Sequence, residues 1–202
     1  LMSIELMFNA VNIALIAFSR YTIPQGMTVA KSALDLGANW INDVSGGRND
    51  PAILNVISDY NIPYILTHSR GNSLTMDGKT QYDNLTSDVI KELNIRTSLA
   101  IESGVDPDKI IWDPGLGFAK TNEQNLELLR NIENIKSIGY PVLVGPSRKR
   151  FIGSVLDIPN PKDRIWGTAA VVCRCFQAKI DMIRVHDVNE MSQILRMSRE
   201  IY

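Results

Sequence analysis

Residues 84–120, NLTSDVIKELNIRTSLAIESGVDPDKIIWDPGLGFAK, decide the fold. Asn84 to Ser103 has helical spacing and stops at Gly104. Glycine suits the left-handed position just past a helix end. An apolar strand, Ile110 to Trp112, follows and runs into Asp113-Pro114-Gly115. Helix, glycine, short strand and polar loop form a unit, and the unit recurs in both directions along the chain.

Toward the N-terminus, Thr28 to Leu36 reads as a helix, Gly37 as its stop, and Trp40 to Val44 as a strand ending in Ser45-Gly46-Gly47. Pro51 to Tyr60 reads as a helix with Asn49 or Asp50 as N-cap and Pro51 in the first turn. The strand Tyr64 to Thr67 ends at His68-Ser69-Arg70-Gly71. Toward the C-terminus, Asn122 to Ile138 is a helix closed by Gly139, and the strand Pro141 to Val144 runs into Gly145-Pro146-Ser147-Arg148-Lys149. A helix over Asp163 to Ala178, a strand over Met182 to Val185 and a closing helix over Val188 to Ile201 complete the pattern.

Strands alternating with long helices imply parallel βα units in an α/β fold. The chain carries five such strands, with Val11 to Phe18 as a candidate sixth. An eight-unit barrel takes about 250 residues, so 202 residues fall two or three units short. Either a barrel is incomplete within this chain, at five to six of the eight strands, or a smaller open sheet forms.

Composition narrows the function. Hydrophobic residues are 45% and charged residues 21%, ordinary for a soluble globular protein. A formal net charge of -1 gives no global basic field for nucleic acid, so an anion site must be a local cluster. The apolar run Ala14 to Phe18 is too short to span a bilayer, and no basic region precedes it as in a signal peptide. Cys173 and Cys175 are two apart and face different sides of a helix, which argues for free thiols and a reducing compartment. Trp40, Trp112 and Trp166 read as packing residues, and His68 as a structural strand-end histidine. No Cys/His metal-ligand spacing, P-loop or nucleophile elbow is found. The chain begins with Leu, as an excerpt or a processed product would.

Four strand-end clusters carry the chemistry. In INDVSGG, Asn42 offers donor and acceptor from one amide, which suits the edge of a heterocycle, although it would equally cap the loop. In DPGLGFAK, a carboxylate at Asp113 can accept two parallel N–H bonds from a guanidine-like edge, or simply make a turn. In GPSRKR, three consecutive cations are costly unless an anion or a π surface lies near, and Lys149 can lie over a flat ring. In IRVHDV, Arg184 and His186 are two apart on a strand end and project to one side as an anion clamp, Arg suiting phosphate.

These four strings, in this order and spacing, resemble the motifs of the dihydropteroate synthases from about Ala30 to the C-terminus. GPSRK and RVHDV are the specific part. The resemblance implies a TIM barrel that joins 6-hydroxymethyl-7,8-dihydropterin diphosphate to p-aminobenzoate in folate biosynthesis. It implies Asn42, Asp113 and Lys149 on the pterin, and Arg184 and His186 on the diphosphate. It places Ser147, Arg148 and Phe118 beside p-aminobenzoate. Lys149, Arg184 and His186 are then the catalytic set. It further implies Mg²⁺ on the diphosphate, with ligands outside the matched part. The expected partners are the two small molecules, with a homodimer and fusion to other folate-pathway domains as the assemblies to test. The expected location is the cytoplasm, or the mitochondrion in a eukaryote.

The match has a limit. The family's Thr-Arg and Asp-Thr pairs on early strands are not found, and residues 1–27 form a divergent segment before the pterin-binding portion, 28–202. Poor turnover by this polypeptide alone, and marginal solubility or oligomerisation from exposed sheet edges, are therefore expected. A non-catalytic pterin-binding module is the alternative. A pterin-dependent methyltransferase domain is a third reading, against which GPSRK argues.

Overall fold

The helix beginning at Leu85 forms where its cap allows: the Asn84 side chain accepts from Ser87 N at 3.0 Å. The computed structural model describes residues 26–202. The candidate strand Val11–Phe18, and nearly all of the segment 1–27, lie outside the described residues. In chain order the elements are α1 (Gly26–Asp35), β1 (Ile41–Asp43), α2 (Ile53–Tyr60), β2 (Tyr64–Thr67), α3 (Leu85–Glu102), β3 (Ile110–Asp113), α4 (Asn122–Arg130), α5 (Ile132–Lys136), β4 (Leu143–Val144), α6 (Arg150–Leu156), α7 (Ile165–Gln177), β5 (Met182–Ile183) and α8 (Val188–Ile201). Gly37, Gly104 and Gly139 take the positive φ expected after a helix.

All paired strands are parallel. β1 pairs β2, β2 pairs β3 and β4 pairs β5. Trp112 bridges Val142 and its backbone N–H donates to Pro141 O at 2.8 Å, which joins the two sets. The strands therefore follow one another in sequence order.

Alternation along each strand sorts the side chains. Ile65, Ile111, Leu143 and Met182 form one buried cluster, with Trp40 packed on it. Tyr64, Leu66, Ile110, Trp112, Val142 and Val144 join the larger core with Leu93, Leu128, Ile132 and Val172 from the helices. A sheet buried on both faces needs both sets, and each large apolar side chain contributes about 1.5–3 kcal/mol. The sheet is also curved. Arg184, just past β5, donates to Asn42 on β1. Five flat strands would hold those positions about 19 Å apart at the usual spacing, too far for two side chains to meet.

Several expectations need correction. The helix expected over 122–138 breaks at Asn131, whose side chain donates back to Glu127 O at 3.0 Å. An Asn that bonds the backbone competes with the helix ladder. The helix α2 starts at Ile53 rather than Pro51, because Asp50 caps the preceding turn at Ala52 N (3.2 Å) and also accepts from Met27 N (2.8 Å). Residues 150–156 form α6, which the spacing did not announce. Trp166 is 76% exposed and is not a packing residue, whereas Trp112 is fully buried and stacks on Tyr140 at 4.8 Å. Cys173 and Cys175 are free thiols, and burial pushes Cys175 up to about 12. Among the described residues no helix is long and apolar enough to cross a membrane.

Candidate active site

The polar residues gather at the C-terminal ends of the strands, where β1 to β4 run into loops containing glycine or proline and β5 runs into Arg184-Val185-His186-Asp187. Thr67 and Asp113 are register partners at the ends of β2 and β3. Asn42 on β1 donates from Nδ2 to Thr67 Oγ1 at 3.0 Å. Arg184 closes the set: its guanidinium donates to Asn42 Oδ1 and, at 3.1 Å, to Asp113 Oδ2. The other Asp113 oxygen accepts from Gly115 N at 2.8 Å, so the carboxylate, 1% exposed, is fixed from both sides. A Cβ at residue 145 would lie 2.5 Å from Arg184 Nη2, so a side chain there would displace the guanidinium from Asn42 and Asp113.

Lys149 immediately precedes α6 and lies beside this set. Its Nζ sits 4.6 Å from the centre of the Phe118 ring. Burial pushes its ammonium pKa down, the Asp113 carboxylate pulls it up and Arg184 pushes it down, so the three charges share one field. Gly117 is the wall on which Lys149 rests: a Cβ there would lie 3.3 Å from Lys149 Cδ.

Ser147 and His186 make a separate pair. Ser147 Oγ lies 2.8 Å from His186 Nδ1 and accepts from His186 N at 3.2 Å. His186 is exposed, and partial burial together with Arg148, Lys149 and Arg184 pushes its pKa down, against Asp187. Arg148 is committed to Asp187, with Nε–Oδ2 at 3.2 Å. Thus Asn42, Asp113, Arg184, Lys149 and Phe118 come together, Ser147 holds His186 nearby, and Arg148 is tied to the helix side.

The sequence reading missed a second network. Lys120 is buried and its Nζ contacts His68 Nδ1 at 2.9 Å, Gly115 O at 3.1 Å and Phe118 O at 3.1 Å. His68 Nε2 lies 3.1 Å from Glu92, which also binds Arg70, with Nε–Oε1 at 2.9 Å. Burial opposes the Glu92 charge, but the hydrogen bonds from His68 and Arg70 win and hold its pKa at about 2. The only signal for Lys120 was a lysine in an apolar loop. Nothing in the sequence pointed to Glu92.

Comparison with known proteins shows what the chain as a whole is similar to. A family model described as pterin binding enzyme matches residues 25–186. A dihydropteroate synthase of Synechocystis sp. is 47% identical over 174 residues, covering 86% of this chain and 60% of that protein. A folic acid synthesis protein of Pneumocystis carinii is 45% identical over 182 residues, covering 86% of this chain and 24% of that one. The structure of the dihydropteroate synthase from Thermus thermophilus, in complex with 6HMPPP, superposes with a TM-score of 0.84 at 30% identity, covering 95% of this chain and 77% of that chain. The chain thus spans about 60% or less of these two curated relatives. With the family model matched over most of its length and the strand-end residues gathered as above, this chain belongs to the pterin binding enzyme family, beside the dihydropteroate synthases.

Proposed function

We propose that residues 28–202 form the pterin-binding portion of a dihydropteroate synthase, an incomplete TIM barrel of five to six strands, with residues 1–27 a divergent leading segment. The reaction is the condensation of 6-hydroxymethyl-7,8-dihydropterin diphosphate with p-aminobenzoate, giving dihydropteroate and diphosphate.

One observation carries the reading. Asn42 and Asp113 both accept from the single planar guanidinium of Arg184. A pterin presents a similar N–C–N edge, so the same two acceptors suit it. When the ring takes that place, Arg184 is released toward the diphosphate, where His186 joins it. Lys149 and Phe118 hold the flat rings, and Ser147 and Arg148 border p-aminobenzoate. The amine nitrogen bonds to the exocyclic carbon as the C–O bond to diphosphate breaks, and the amine proton passes to solvent. Fixed cations at the leaving group lower that barrier. Holding the amine in place does the rest.

The resemblance also implies Mg²⁺. Among the described residues no three His, Cys, Asp or Glu side chains converge to hold a metal ion. Mg²⁺ keeps several waters and binds largely through phosphate oxygens, so it needs no ready-made cluster, and no step is assigned to it. A homodimer, a cytoplasmic or mitochondrial location and fusion to other folate-pathway domains remain part of the proposal. The small share of the Pneumocystis carinii protein covered by this chain favours fusion.

Calorimetric titration with 6-hydroxymethylpterin tests the reading. One pterin bound per chain supports it. A folded chain that takes up no pterin overturns it.

A further inference from the structure

We propose that Lys120 is a positioning residue, whose ammonium group, backed by His68, fixes the Gly115–Phe118 turn and so sets where Phe118 and Lys149 stand for the aryl amine. This rests on the function proposed above and deepens it.

The turn is closed by its own backbone bond, Phe118 N–H to Gly115 O at 3.1 Å, and Tyr82 Oη donates to Ala119 O at 3.0 Å just beyond it. It must leave β3, pass close to β2 and return, and Gly115 (φ +69°), Gly117 (φ +77°) and Ala119 (φ +49°) all take left-handed backbone. A Cβ at Gly115 would be driven into the carbonyl oxygen of His68. Gly115 N is held by Asp113 and Gly117 N by Asn125 Oδ1 at 2.6 Å. The carbonyls of Gly115 and Phe118, at the two ends of the turn, are both held by Lys120 Nζ. An ammonium has three N–H donors. The third meets His68 Nδ1. His68 can accept there because Nε2 faces the Glu92 carboxylate and so carries the ring proton. The donor and acceptor counts match with none left over.

What the turn carries makes this matter for catalysis. Phe118 lies under Lys149, and Gly117 packs against the Lys149 stem. If the turn shifts, the ring and the cation shift together, while Asn42 stays on β1 and Asp113 on β3.

The charge balance makes the latch sensitive to pH. Burial pushes the Lys120 ammonium down to about 7. Asp113 at the end of β3 and Glu92 on α3 pull it up, while Arg70 after β2 and Lys149 before α6 push it down. His68 is held neutral, at about 4, by burial and by Lys120 itself. A neutral amine keeps two N–H groups for the three acceptors and sheds the cost of a buried charge, so the closed turn is favoured as pH rises above about 7.

The test compares wild-type chain with Lys120→Met, reading 6-hydroxymethylpterin affinity, p-aminobenzoate affinity at saturating pterin, and amide exchange protection of Gly117 and Phe118. In Lys120→Met, p-aminobenzoate affinity should fall about tenfold or more, and pterin affinity far less. In wild type, the protection of Gly117 and Phe118 should rise as pH rises from about 7 toward 10.5, because an opening that hydrates Lys120 takes up its proton, a profile absent from the variant. Equal loss of both ligands, or no pH profile in wild type, overturns the proposal. If wild type binds no pterin, the functional reading fails, and protection of the turn alone decides for or against the latch. If the variant does not fold, the wild-type pH profile decides.

Discussion

Two polar networks meet at Asp113 and Gly115, and they behave oppositely. The first joins Asn42, Asp113 and Arg184 across the ends of β1, β3 and β5. The second joins Lys120, His68, Glu92 and Arg70 beneath it. Both use strand-end charges. The first is reached by solvent at Asn42 and at Arg184, 25% exposed, so its members can exchange one another for a ligand. The second buries Lys120 and His68, with the three Lys120 donors met, and reaches solvent only at its outer end, where Arg70 and Glu92 pair at 23% and 32% exposure. An open network of this kind can serve as a site, and a closed one serves as its frame.

The largest effect should come from striking the frame where both networks touch. Gly115→Ala combines a positive φ with a clash on backbone, and should destabilise by about 3 kcal/mol or more. A denaturant melt near wild type would show that the turn is not held as described. Next comes Asp113→Asn, which keeps the Gly115 contact and removes the charge. Pterin affinity should fall about 10- to 150-fold, the worth of one charge-assisted hydrogen bond, with circular dichroism unchanged. A loss under threefold would remove Asp113 from the site.

Acid should separate the networks less sharply. The His68 pKa lies below its ordinary value, so the unfolded chain binds the proton first and stability falls as pH drops from about 6.5 to about 4. The Glu92 contribution, present above its ordinary carboxylate range, is lost as pH falls from about 4.5 to about 2. After discounting for solvent at Glu92, about 1–2 kcal/mol is expected from that step. Thermal melts should show the upper slope vanish in His68→Gln. The smallest effect belongs to neither network. Arg150 pairs with Asp77 where both side chains are more than 70% exposed, so Arg150→Ala should leave the melting temperature within about 2 °C.

Much of the open network was legible because its residues announce themselves locally. Asp113 stands before Pro-Gly, Asn42 before a double-glycine loop, and Arg184 after an apolar strand. The strand β2 and the helix α8 fell where spacing put them. The closed network was illegible because its partners meet only through tertiary register. Glu92 lies 24 residues from His68 and Lys120 lies 52 from it. Glu92 also looks like any polar helix residue until α3 packs on β2. The break at Asn131 and the exposed Trp166 were hidden for related reasons, a single side-chain bond in one case and the limit of the core in the other.

In the proposed function one guanidinium marks the pterin place and yields to it. The direct measurement is the affinity of wild type and Arg184→Ala for 6-hydroxymethylpterin and for its diphosphate. The variant should lose about tenfold or more on the diphosphate form and little or nothing on the free pterin, since Asn42 and Asp113 are then unoccupied. Equal losses on both ligands would contradict it.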